Sequence, residues 1–227
     1  MIGVRSFLRN NGLTLFFLLI LVLALAGQAI SGVFIFNDRQ LTSGGAEVSL
    51  AHYLTSSQFA VDVAENWQSE FLQFFLYIFV TVWLVQRGSP ESKRPRETGV
   101  ESDERQKVGE YADEDSPPWA AARGWRTALF SRSLGLVMVT LFVLSWLAQS
   151  IAGLSAYNAD QLADYQDPVS WTGYVTSADF WNRSLQNWQS EFLAVAAMAV
   201  FSIYLRQRGS PESKPVGESH TATNIEG

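Results

Sequence analysis

The sequence of 227 residues predicts an all-α membrane protein, with four transmembrane helices made from a tandem duplicated two-helix unit and both termini cytoplasmic. Three observations carry that expectation. Leu13 to Phe36 and Leu134 to Tyr157 contain no charged residue, and an apolar run of about 20 residues is long enough to cross roughly 30 Å of hydrocarbon as a helix. The chain matches itself at a shift of 121 positions, with 32 of the 81 residues from Leu13 to Lys93 identical to their counterparts. Basic residues are sorted to one side: Arg39 and Arg183 are the only two between the first and second helix of each unit.

The repeat is dense where it matters. Gln28, Ile30, Gly32 and Asn37 meet Gln149, Ile151, Gly153 and Asn158, and Tyr53, Thr55, Ser56 and Phe59 meet Tyr174, Thr176, Ser177 and Phe180. The run NWQSEFL at Asn66 to Leu72 returns at Asn187 to Leu193, and QRGSPESK at Gln86 to Lys93 returns at Gln207 to Lys214. Self-similarity at one fixed period marks duplication. The expected division is a first transmembrane repeat at 1–93, a disordered acidic cytoplasmic linker at 94–122, a second repeat at 123–214, and a disordered cytoplasmic tail at 215–227.

The first helix of each unit is the long uncharged run itself. Arg5 and Arg9 ahead of it, with Ala24, Leu25 and Ala26 inside it, also fit a cleavable secretory signal. The run continues to Phe36 and has an internal copy, which favours a retained span. The second helices have shorter apolar runs, Phe71 to Val85 and Phe192 to Leu205, so spanning requires residues Asn66 to Glu70 and their copies to enter the membrane. Ser56 or Ser57 and Ser177 are expected N-caps, and the glycine and proline of each QRGSP are expected to end the helices. The segments 37–65 and 158–186 are then external, and the two copies insert the same way round as parallel repeats.

Composition removes several chemistries. A chain with no cysteine and two histidines, His52 and His220, offers no disulfide, thiolate nucleophile or cysteine zinc site. No stretch matches a phosphate loop, and a net charge of −6 argues against a nucleic-acid partner. No enzyme, cofactor or metal site is expected. The expected partner is the lipid bilayer, joined by a second copy of the chain or another membrane protein.

Four polar residues remain inside the expected spans: Gln28 and Glu70 from the first unit, Gln149 and Glu191 from the second. If the units pack about a pseudo-twofold axis, these form one cluster near the external side. Intramembrane carboxylates often mark ion or proton pathways. The bland alternative places each glutamate in the first embedded turn of its helix, bonded to a glutamine that locks two helices together. Small residues such as Gly27, Ser31, Gly32 and Gly153 are expected to serve close helix packing. Trp67 and Trp188 suit the outer headgroup belt, Trp83 and Tyr204 the inner one, and Arg87 and Arg208 are expected to anchor the helix ends by facing the helix dipole and the lipid phosphates.

At NWQSEFL, at LVQRGSPES (Leu84 to Ser92) and LRQRGSPES (Leu205 to Ser213), and at Gly27 to Gly32, the sequence resembles a family of bacterial four-span membrane proteins known only as a domain of unknown function. The resemblance covers both units and implies a bacterial inner-membrane location; it implies no activity. The second copy departs from the first where Gln73 becomes Ala194. The expectation is a non-enzymatic structural or partner-binding module, with a small transporter or channel using Glu70 and Glu191 as the alternative.

Overall fold

The computed structural model describes residues 4–225, and all regular structure among them is helical. In chain order the helices are α1 (Val4–Asn10), α2 (Gly12–Thr42), α3 (Leu50–Leu54), α4 (Ser57–Val80), α5 (Pro118–Ala121), α6 (Trp125–Phe130), α7 (Ser133–Ala163), α8 (Trp171–Val175) and α9 (Ala178–Tyr204). The duplication is visible in this order, since α2–α3–α4 and α7–α8–α9 repeat one pattern of long helix, single turn and long helix. Two helices, α2 and α7, are long and apolar enough to cross a membrane. At 1.5 Å per residue their 31 residues span about 46 Å.

The chain divides into two compact units, Met1–Val63 with Ala148–Val175, and Ala64–Leu147 with Thr176–Gly227. The first holds α2, α3 and the connections after each long apolar helix. Each long helix outruns its apolar stretch and ends beyond an asparagine, which then holds the returning chain. The Asn37 side chain donates to Val48 O at 3.0 Å and accepts from Val48 N at 2.8 Å. Asn158 does the same with Val169 at 3.0 and 2.9 Å. A carboxamide has the donor and acceptor of a peptide group, so it satisfies both backbone groups of one residue.

The single turn that follows is started by serine. Ser49 Oγ accepts from His52 N, and Ser170 Oγ from Gly173 N. Each turn carries a fully buried tyrosine, Tyr53 or Tyr174, back onto the preceding long helix. Tyr53 seats over Gly32 and beside Phe36; Tyr174 seats over Gly153 and beside Tyr157. Gly32 is expected to serve close helix packing, and its missing side chain admits the ring of Tyr53 from the short helix α3 of its own repeat. Gly27, one turn earlier, has open space where a side chain would stand.

Ser56 and Ser177 then cap α4 and α9, accepting from Phe59 N and Phe180 N at 3.2 Å each. The expected glycine caps at the other ends are not formed. α4 stops at Val80, and α9 stops at Tyr204 with Leu205 extended at φ −96° and ψ 158°. Gly88 and Gly209 sit further on, with φ of +91° and +82°, as the third residue of turns closed by Ser89 N→Gln86 O and Ser210 N→Gln207 O, both 3.1 Å. The end of α9 is met by Arg206, whose guanidinium donates to Ile203 O at 3.1 Å and Leu205 O at 2.8 Å.

Residues 94–122 contain turns, one 3-10 turn at Gly109–Tyr111 and the short α5. Local pairs bridge this segment: Lys93 with Glu101 at 3.1 Å, and Arg105 with Glu97 at 3.5 Å.

Candidate functional site: a polar seam between equivalent helices

The second compact unit contains the C-terminal part of α4 and the whole of α9, and polar side chains join the two. Arg183 Nη1 donates to Glu65 Oε2 at 3.0 Å and pairs with Asp179 at 3.5 Å. Trp188 Nε1 donates to Gln68 Oε1 at 2.8 Å. Gln73 Nε2 donates to the backbone carbonyl of Glu191 at 3.0 Å. The partners advance together along both helices, from 65 with 183, to 68 with 188, to 73 with 191. Along this seam the helices therefore run in the same direction, the relation expected of parallel repeats.

The seam is not symmetric although the repeated NWQSEFL is. Gln68 is fully buried, while its copy Gln189 is exposed. Gln68 also donates to Glu65 O at 3.1 Å, so both ends of its amide are engaged. Arg183 and Glu65 are each unique to one copy, since their equivalents are Asp62 and Gln186. Asp62 accepts instead from Gln58 on its own helix at 2.9 Å. Gln73 bonds across the seam where the second copy has only Ala194.

An aromatic group continues the seam. Trp146 lies 5.5 to 6.0 Å, centroid to centroid, from Phe142, Phe180, Trp181 and Trp188. The equivalent of Trp146 is Leu25 and of Trp181 is Ala60, so the second copy alone has the material for this cluster. Offset-stacked and edge-on pairs of this kind each add to the apolar burial they make.

The residues singled out in the sequence fall unevenly on this geometry. Glu70 is exposed and Glu191 half-buried; both belong to the second unit and lie within electrostatic range of each other. Gln28 is half-buried and Gln149 fully buried, and both belong to the first unit. One four-membered cluster is therefore a property of neither unit. Trp188 lies in the seam, whereas Trp67 is exposed. Arg87 and Arg208 are exposed at the second position of their turns.

The second unit also contains both QRGSPESK segments and the end of the chain. Ser92 Oγ accepts from Gln86 N at 2.8 Å and donates to Lys93 O at 3.1 Å; Ser213 repeats this with Gln207 N at 2.9 Å and Lys214 O at 3.1 Å. The two loops thus share one internal bonding pattern. Copy-specific contacts then separate them: Tyr77, whose counterpart is Met198, donates to the Glu91 carboxylate of the first loop.

The tail, expected as solvated chain, folds back on these loops. Lys214 is almost completely buried, with Nζ 2.7 Å from Gly88 O, 3.0 Å from Ser219 O, 3.1 Å from His220 O and 3.2 Å from Ala222 O. Loss of hydration lowers its pKa, the nearby Arg206 guanidinium lowers it further, and Glu218 opposes both. Backbone carbonyls supply the acceptors that compensate a buried ammonium, and a chain of small polar residues exposes enough backbone to provide them. Composition alone had no means to show that partner.

Among the described residues no group of three histidine, aspartate or glutamate side chains is placed to hold a metal ion. No curated protein and no solved structure matches the chain. The family model described as Domain of unknown function (DUF6766) matches residues 4–225, and the chain belongs to that family.

Proposed function

We propose that this chain is a non-enzymatic integral membrane module of the bacterial inner membrane, in which α2, α4, α7 and α9 all span and the paired helices α4 and α9 form a rigid structural or partner-binding element. The observation that carries this reading is the α4–α9 seam: its buried and half-buried polar groups are bonded to one another across the two helices. Polar pairs of that kind join helices where apolar packing alone gives little specificity. The apolar windows of α2 and α7 support a lipid partner, because only 6% and 11% of their residues are buried. A core helix of a water-soluble protein would bury most of such a face.

The absence of cysteine makes the topology directly testable. Single substitutions Glu47→Cys and Gln166→Cys are expected to react with a membrane-impermeant maleimide on intact cells. Val100→Cys and Val216→Cys are expected to react only after lysis. Labelling of Val100→Cys in intact cells overturns the four-span arrangement.

A second reading is favoured by one observation, the electrostatic proximity of Glu70 and Glu191. Two like charges on adjacent helices suit a proton or cation site in a small transporter or channel. Reconstituted vesicles distinguish the readings. The structural module gives no proton flux above protein-free vesicles, and flux that the paired substitutions Glu70→Gln and Glu191→Gln abolish replaces it with the transport reading.

A further inference from the structure

The two QRGSPESK loops have the same conformation and different occupancy. The first, Gln86 to Lys93, is covered by the tail: Gly88 N donates to Thr223 Oγ1 at 2.9 Å, and Asn224 N donates to Ser89 O at 3.2 Å. A side chain at Gly88 would stand 2.5 Å from His220 O, so the glycine is needed for this approach. The second loop has the same turn, the same serine bracket and the same left-handed glycine, yet a side chain at Gly209 would meet nothing within 4 Å. An open recess of about 300 Å³ lies there, lined by residues 207–210 and 213–216.

We propose that the second loop is a docking site for the tail segment around 223–224 of a second copy of this chain. Thr223 of the partner subunit would accept from Gly209 N, and Asn224 of the partner subunit would donate to Ser210 O, as the chain's own tail does one repeat earlier. The occupant follows from the first loop, which selects a hydroxyl acceptor followed by a backbone N–H and finds them in 223–224. Each chain has two such loops and one tail. Docking within the chain has the advantage of high effective concentration, so a tail reaches the second loop of another copy only by leaving its own first loop, an exchange that crowding of copies in the membrane favours. One main-chain bond and one bond to the threonine hydroxyl supply the affinity, and the turn glycine supplies the access.

The test uses the full-length protein in detergent micelles and a synthetic peptide of residues 217–225 bearing a photoreactive group at position 221. Cross-linked products are mapped by mass spectrometry. Attachment within 207–216 is the expected result, together with saturable binding that Gly209→Val in the protein weakens at least tenfold. Thr223→Val in the peptide is expected to weaken binding to the unaltered protein, which keeps the test valid if the Gly209 variant misfolds. Attachment confined to 86–93 would mean that the peptide only displaces the chain's own tail, and it overturns the proposal. So does the absence of saturable binding at millimolar peptide.

Discussion

The Tyr53 ring lies so close to the bare Cα of Gly32 that a methyl group added there would overlap its hydroxyl oxygen and stand 2.8 Å from Cζ. Tyr174 has the same relation to Gly153, with Cζ at 2.9 Å. Both tyrosines are buried, so neither ring has free space into which to withdraw. Gly32→Ala and Gly153→Ala are each expected to destabilise the protein by about 1–3 kcal/mol, the usual cost of overpacking. Gly27→Ala is the control, since its site is open, and it is expected to be neutral or mildly stabilising. Thermal unfolding in one detergent distinguishes them, and equal melting temperatures for Gly27→Ala and Gly32→Ala would refute the notch.

The asparagine clamps predict a local effect. Asn37→Ala removes two hydrogen bonds at Val48, and Asn158→Ala removes two at Val169. Each loss is expected to cost about 1–3 kcal/mol, because polar backbone is left without its partner. Hydrogen exchange should quicken at the Val48 amide in the first variant and at the Val169 amide in the second. Asn37→Asp keeps the bond from Val48 N and loses the one to Val48 O, so it should fall between wild type and alanine.

The Glu65–Arg183 pair is half-buried and carries Asp179 as a third member. A double-mutant cycle with Glu65→Gln and Arg183→Gln is expected to show favourable coupling of about 1 kcal/mol, above the median for exposed pairs. Exchange of the two residues should restore stability only in part. Asp179 stays where it is and would repel a glutamate at 183. Full recovery in the exchanged variant would show that Asp179 takes no part.

Lys214 predicts a dependence on alkaline pH. Burial holds its pKa below the ordinary lysine value of about 10.4 in the folded state. At pH values below the folded pKa both states carry the proton, and the full cost of burying the charge is present. Between the folded and unfolded pKa values the unfolded chain binds more protons, so stability rises with pH across that window. The melting temperature of wild type relative to Lys214→Met is therefore expected to increase as pH is raised from neutrality toward 10. A flat difference would mean that the ammonium is hydrated.

Much of this architecture is legible in the sequence because it rests on local signals. The uncharged runs end up as α2 and α7, Ser56 and Ser177 cap the helices they precede, and the shift of 121 residues aligns Asn37 with Asn158 and Tyr53 with Tyr174 in equivalent contacts. Long-range choice of partner is not local. Gly32 reads as a helix-packing glycine because nothing in its neighbourhood points 21 residues ahead to Tyr53. Gln68 and Glu70 are two residues apart in one repeated motif, and only helix rotation decides which is buried. The two NWQSEFL copies hide the asymmetry further, since Gln68 pairs with Trp188 and not with its own equivalent. The available hint lies among the many unmatched positions of the repeat: Glu65 and Arg183 differ from their counterparts and meet at the seam, and Trp146 and Trp181 differ from theirs and meet in the aromatic group that continues it.

The Gln68–Trp188 bond gives the sharpest test of that seam. Trp188→Phe retains an aromatic ring beside Trp146 and Trp181 but removes the indole N–H, leaving the buried Gln68 Oε1 without this donor. A loss of about 1–3 kcal/mol is expected, the penalty for an unsatisfied buried acceptor. Gln68→Leu alone should also destabilise, because the Trp188 N–H and Glu65 O lose their partner. Together the two changes remove donor and acceptor at once, so the double variant should recover much of what Trp188→Phe loses. Simple additivity of the two single effects, measured by unfolding in the same detergent, would mean that the bond does not hold α4 to α9.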